Sequence, residues 1–270
     1  MIQRRLSFAG GAFGALHRQR VGPLPDLSTL SIAGVDAALL EAARVTWRDR
    51  ARAEFRSLQI LTRFLGEVAG AGDPLDVYAG ITALVERAIH QTEVCAAVCD
   101  ALDAPALLPE PVLLQDSPGF LGAPMAERAL ATAITLQLDE TIGGGYLADL
   151  TARCRHPAIE AALRALLARE QPELGWSYLR QARHRFPPSS SPDWRHLVKI
   201  NLEPHEAVAA RALAQVPANL QNLAAWPEPE LAQLGLLSHE RQALVFHQTW
   251  TGVLKPRLAE LELLPDHHLR

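Results

Sequence analysis

The chain has 270 residues and a formal net charge of −4, which excludes the basic footprint of a nucleic-acid-binding surface. Apolar residues make up 49% and aromatics only 6%, so aliphatic side chains and alanine must supply the core, and their Ala- and Leu-rich runs favour helices over strands. No stretch approaches the roughly 18 consecutive apolar residues of a membrane span, so no membrane partner is expected.

The first segment, "MIQRRLSFAGGAFGALHRQR", has paired arginines and a short Gly-rich run closed by a second basic cluster. With no A-x-A-like cleavage site behind it, it reads as a flexible or loosely docked tail of a cytoplasmic protein. Tail and Pro-containing linker together take residues 1–32. A short helix is predicted over 34–45, running into a first long helix over 46–69 that stops before "GAGDP". The second long helix starts near Pro74 and reaches Leu102. A Pro-rich stretch, "DAPALLPEPVLLQDSPGFLGAP", then crosses to a third, over 125–153. After "CRHPAIEAAL" a fourth is expected to run to Phe186, where "PPSSSPDW" closes the 33–186 region. Residues 187–270 are expected to form a helical extension packed on it, with helices over 194–213, 229–234 and 240–263.

Two short turns joined by one long crossover is the connectivity of the ferritin-like four-helix bundle, so the expected fold is all-α and ferritin-like. Periodicity adds a pattern. In the first helix Glu54 stands on the stripe Leu58, Leu61, Leu65, Val68, and in the third Glu140 stands with Ala129, Ala133, Leu136, Gly143 and Leu147. The second carries Ile81, Leu84, Ala88, Gln91, Cys95 and Val98 on one face. The fourth carries Leu163, Leu167, Gln171, Leu174 and Tyr178. Each helix is thus expected to send one polar group inward: two carboxylates and two amides. A di-iron or di-manganese bundle takes one Glu from each of two helices and an E-x-x-H pair from each of the others. Here those pairs read Ala88-x-x-Gln91 and Ala168-x-x-Gln171.

The stretches "RARAEFRSLQILTRFLGEVAGAGDPLDVYAG", "ERALATAITLQLDETIGGGYL", "LGWSYL" and "ERQALVFHQTWTGVLKPRLAEL" resemble a group of bacterial ferritin-like proteins, over roughly residues 46–263. That resemblance implies the bundle fold and a non-haem di-metal centre. Glu54 and Glu140 match the family's single-Glu ligands. The family's "DE-x-x-H" falls on Arg87, Ala88 and Gln91 in the second helix, and four of the six ligand positions differ.

Neighbouring residues offer an alternative ligand set: His90 and Glu93 in the second helix, Glu170 and Glu173 in the fourth. His90 lies about 100° around the helix from Gln91, so both face inward only if the helix is wound differently there. The bland reading is surface ion pairing. Pro172 adds a disturbance, since a proline inside a helix clashes with the carbonyl four residues back, that of Ala168. For Glu54, Glu140, Gln91 and Gln171 three readings stand: a hydrogen-bonded core network of amides and carboxylates, a polar pocket for a small ligand, or coordination by carboxylate and amide oxygens.

Gly143 to Gly145, inside the third helix beside Glu140, cost about 1 kcal/mol each relative to alanine, so they serve either close packing or an opening for a ligand at Gly143 and Gly144. Cys95, Cys99 and Cys154 lack zinc-type spacing and read as small buried thiols. The expected function is a non-catalytic scaffold with a degenerate metal site and no cofactor. Its partners would be a small molecule, a second copy or a related protein. The alternative is a non-haem iron- or manganese-dependent oxidase or oxygenase with an altered ligand set.

Overall fold

The computed structural model describes residues 3–109, 122–168, 171–184, 193–211, 223 and 226–265. Among the described residues the chain is all-α apart from one two-residue antiparallel pairing, β1 (Gln3–Arg4) with β2 (Leu108–Pro109). Among the described residues no helix is long and apolar enough to cross a membrane.

The first segment is a docked helix, α1 (Gly11–Val21), rather than a loose tail. It lies against the second long helix, where Val21 is buried and His17 pairs with Glu93 at 2.8 Å. The two helices predicted over 34–69 are one continuous rod, α2 (Ala37–Ala71). Asp36 caps its start by accepting from the Ala38 and Leu39 amides, and Gly72 ends it in the left-handed conformation. The next rods are α3 (Leu75–Ala101) and α4 (Met125–Arg153), each begun after a proline. Gly143 to Gly145 do not interrupt α4.

The fourth long helix is broken in two. α5 (Pro157–Leu167) and α6 (Pro172–Arg183) meet at a non-helical joint, with Gln171 at φ −132° and ψ 59°. The cause is Pro172. At the first position of α6 its missing N–H costs nothing, whereas inside one continuous helix it would strike the Ala168 carbonyl.

α2 packs along α3 and α4, α5 sits on α3 and α4, and α6 sits on α4. The apolar interior falls into two clusters. One joins Leu61, Phe64 and Val68 of α2 to Leu84, Ile134, Ile142 and Trp176. The other joins Trp47 and Ala51 of α2 to Val98, Leu102, Leu150 and Leu163.

The C-terminal segment closes over this framework with α7 (Trp194–Arg211), α8 (Glu228–Gln233), α9 (His239–Thr249) and α10 (Lys255–Glu260). Where one helix over 240–263 is expected, a π turn over Trp250–Leu254 joins α9 to α10, and the Lys255 amide reaches back to the Trp250 carbonyl. Pro256 accounts for it, having no N–H to give to the carbonyl of Gly252. The wider turn keeps Phe246, Trp250, Leu254 and Leu258 buried along one face.

Two contacts seat this segment. The buried Trp47 indole donates to the Leu234 carbonyl at 2.8 Å. Gly235 lies against that ring at φ +74°, where a Cβ would come within 2.8 Å of the indole carbon, so both conformation and space require glycine. On α4, Asp149 accepts from Arg241 of α9 through both carboxylate oxygens and from Arg153 at 3.0 Å.

Burial pushes the Asp149 carboxyl up, but hydrogen bonds from Arg241 and Arg153 and their charges outweigh it, leaving it below its ordinary value. A carboxylate so held contributes stability that is complete above the unfolded value, about 4, and is lost as pH falls through the folded value. Asp149→Asn is therefore expected to cost about 1 kcal/mol at pH 7, the pair being partly solvated. Urea unfolding of both proteins should show the gap closing on acidification below about pH 4. A gap independent of pH would show that the charge is not what matters.

Candidate functional site

The inward polar positions of the long helices collect at or beside the level where the two apolar clusters meet. On α3, Arg87 and Gln91 stand between Leu84 of one cluster and Val94 of the other, and on α2 Glu54 stands between Ala51 and Leu61. Glu140 is beside Ile142 on α4, and the α5–α6 joint lies at the same level, between Leu166 and Trp176.

At the centre of this layer is an ion pair. The Arg87 guanidinium, 5% exposed, donates to Glu140 Oε1, whose side chain is 15% exposed. On α3, Arg87 shares a stripe with Leu84 and Gln91 at offsets of three and four. The second carboxylate, Glu54, is half-buried and sits one turn from Arg50, whose guanidinium lies 4.7 Å over the Trp47 ring. Burial pulls the Arg50 pKa down, while the charge of Glu54 opposes that shift. Glu140 and Glu54 each therefore have a guanidinium in their electrostatic surroundings.

Gln91 is buried as expected, and one of its bonds is to the backbone. Its amide Nε2 donates to the Leu166 carbonyl at 3.2 Å. That carbonyl belongs to the last turn of α5. The amide of one helix thus reaches the end of another.

The expected inward amide of the fourth helix is corrected. Gln171 is exposed, as is Ala168, because both lie at the joint and not within a continuous apolar face. Gln171 therefore does not share a buried face with Gln91.

The alternative ligands point elsewhere. His90 and Glu93 are buried, but beneath the N-terminal segment: His90 Nε2 is 3.4 Å from the Pro23 carbonyl and Glu93 pairs with His17. Burial raises the Glu93 carboxyl while His17 lowers it, with a net upward shift. Glu173 is exposed and bound to Arg257 at 2.5 Å. Glu170 lies outside the described residues. Among the described residues no group of three or more His, Cys, Asp or Glu is placed to hold a metal ion.

The three glycines of α4 divide between the two expected roles. A Cβ on Gly145 would strike the Thr249 hydroxyl of α9, so this one permits close packing. Gly143 and Gly144 have open space where a Cβ would stand, and Gly144 lines a cavity of about 250 Å3 together with Glu140, Thr141, Trp176, Val253 and Arg257. The cavity sits beside the joint, with Leu167 and Pro172 in its wall, and the C-terminal segment roofs it. Trp176, Val253 and Arg257 were not visible as site residues in the sequence, since only tertiary packing brings α6 and the C-terminal segment beside Gly144.

All three cysteines are buried and free. Burial raises all three thiols, Cys95 well above its ordinary value and Cys99 to about 12, so they are protonated at neutral pH.

Comparison with protein-family models, curated proteins and solved structures finds no match to this chain.

Removing one partner of the Arg87–Glu140 pair leaves a buried charge without its counter-ion. Arg87→Met or Glu140→Leu alone should cost about 3 kcal/mol, and the double substitution should recover most of the loss. Chemical denaturation of the four proteins reads the coupling, and single costs below about 0.5 kcal/mol would show the pair to be solvent-screened. Gln91→Leu should cost about 1–3 kcal/mol by removing the buried hydrogen bond to the Leu166 carbonyl, and an unchanged unfolding midpoint would show that this bond does not matter to the fold.

Proposed function

We propose that this chain is a ferritin-like four-helix bundle in which an internal ion pair takes the place of a di-metal centre, and that it acts as a non-catalytic scaffold binding a small ligand. The observation that carries the reading is the Arg87–Glu140 pair. In a di-metal bundle the inward carboxylates are neutralised by cations, and here a guanidinium performs that neutralisation for Glu140.

The expected di-iron or di-manganese group is tested against the donors present, and they do not fit it. Arg87 places a fixed positive charge against the carboxylate a metal would need. The Gln91 amide nitrogen donates to Leu166, Gln171 is exposed, and His90 faces Pro23 in the stretch that follows α1. Amide oxygens are in any case weak ligands for iron. An oxidase with an altered ligand set would have to displace Arg87 and turn Gln91 around, at the cost of the α5 end.

The scaffold half of the reading rests on the cavity next to this pair. It is concave, walled mainly by apolar side chains and edged by a few polar groups, as small-molecule sites are.

Purified untagged protein from cells grown with added iron and manganese is expected to carry far less than one metal per chain by elemental mass spectrometry. Two metals per chain, lost in Glu54→Ala and Glu140→Ala, would overturn the reading in favour of a di-metal enzyme.

A further inference from the structure

We propose that the segment from Arg5 through α1 is a docking surface for an anionic lipid bilayer. Phe8, Phe13 and Leu16 enter the interface, and Arg5 and Arg18 meet the headgroups. The proposal is independent of the ligand-binding reading above.

Residues 1–25 hold Arg4, Arg5, Arg18 and Arg20 and no Asp or Glu, in a chain whose net charge is −4. This segment is therefore opposite in sign to the chain as a whole. The same segment exposes large apolar side chains. Phe8 is 64% exposed, Phe13 78% and Leu16 53%. Among the described residues no other Phe, Tyr or Trp is exposed. A single exposed leucine is ordinary, but phenylalanine belongs inside, and a group of large apolar side chains beside charge marks an interaction surface.

Local geometry groups the three. Gly10 and Gly11, at φ +72° and +54°, turn the chain ahead of α1 in a conformation that glycine adopts freely. The Phe8 ring comes to lie 5.5 Å from that of His17, centroid to centroid. Phe13 stands one turn before His17 on the same helix, and Leu16 three residues after Phe13. The inner side of α1 is fastened: Val21 is buried, His17 pairs with Glu93 at 2.8 Å and Arg20 with Glu86 at 3.3 Å. Glu86 answers the Arg20 charge, so the basic contribution falls to Arg5 and Arg18, both exposed.

The charge and the spacing favour lipid over protein. Phe8, Phe13 and Leu16 stand among polar residues and do not line one helix stripe, whereas a protein groove takes a continuous apolar face. A bilayer interface accepts aromatic and aliphatic side chains one by one and adds attraction between arginine and anionic headgroups. A second copy meeting this surface about a two-fold axis would set one basic segment against another. Docking of this kind needs no spanning helix.

Flotation of the full chain with vesicles of phosphatidylcholine, against vesicles in which about one third is phosphatidylglycerol, tests this. Binding to the anionic vesicles should be at least tenfold tighter and should weaken as salt is raised. The double variants Phe8→Ser with Phe13→Ser, and Arg5→Gln with Arg18→Gln, should each weaken it roughly tenfold. Both should keep the melting temperature, since all four side chains are exposed. Equal binding to the two vesicle types, binding to neither, or unchanged binding by the double variants would overturn the assignment. Dimers that dissociate in the Phe8→Ser, Phe13→Ser variant, in a chain that floats with neither vesicle, would give the surface to a second copy instead.

Discussion

The buried Arg87–Glu140 pair is the constraint around which the middle of this protein is arranged. Taking two charges out of water costs several kcal/mol each, and only close geometry repays it. The pair ties α3 to α4 at this level. Above and below, the contacts are apolar and shape-driven, with Trp47 at the heart of one cluster and Trp176 at the edge of the cavity in the other. The polar layer separates two cores, each of which excludes water by itself.

The break between α5 and α6 follows the same division. α5 belongs to the cluster around Leu102 and Leu150, α6 to the cluster around Ile134 and Ile142. A proline at the joint lets each half-helix settle on its own core, and Gln91 donates to the Leu166 carbonyl in the last turn of α5. On the outer side of α3 the polar residues have a different cover. Arg20 pairs with Glu86 at 3.3 Å, His17 with Glu93, and His90 approaches Pro23, so α1 and its linker shield a polar stripe that would otherwise face solvent.

Much of the helix order was legible in the sequence because prolines and glycines punctuate it: Gly72, Pro74, Pro124 and Pro157 all stand at real ends. The inward positions of Gln91 and Glu140 followed from periodicity. What failed was the assumption that a 3.6-residue stripe continues through Pro172, which put Gln171 inside when it is exposed. The docking of α1 was illegible for a different reason. Its Gly-rich sequence has no apolar face, and it is held by Val21 and ion pairs to residues some seventy positions away. The cavity also lay beyond reach, because only tertiary packing brings α6 and the C-terminal segment beside Gly144.

Under the proposed reading, the differences at the ligand positions form one electrostatic change. A di-metal centre brings about four positive charges, and its four carboxylates answer them. A single guanidinium answers one. With Arg87 in place, Glu140 has its counter-charge and Glu54 has Arg50 a turn away, so a further glutamate at position 88, where the alanine is wholly buried, would be an uncompensated anion in the core. A histidine at position 91 would bring no amide to the Leu166 carbonyl and would add a group whose protonation depends on pH. Alanine at 88 and glutamine at 91 are the neutral choices that the Arg87–Glu140 pair and the broken helix together demand. Physical consistency among these positions, more than the missing ligands themselves, makes the layer a structure in its own right.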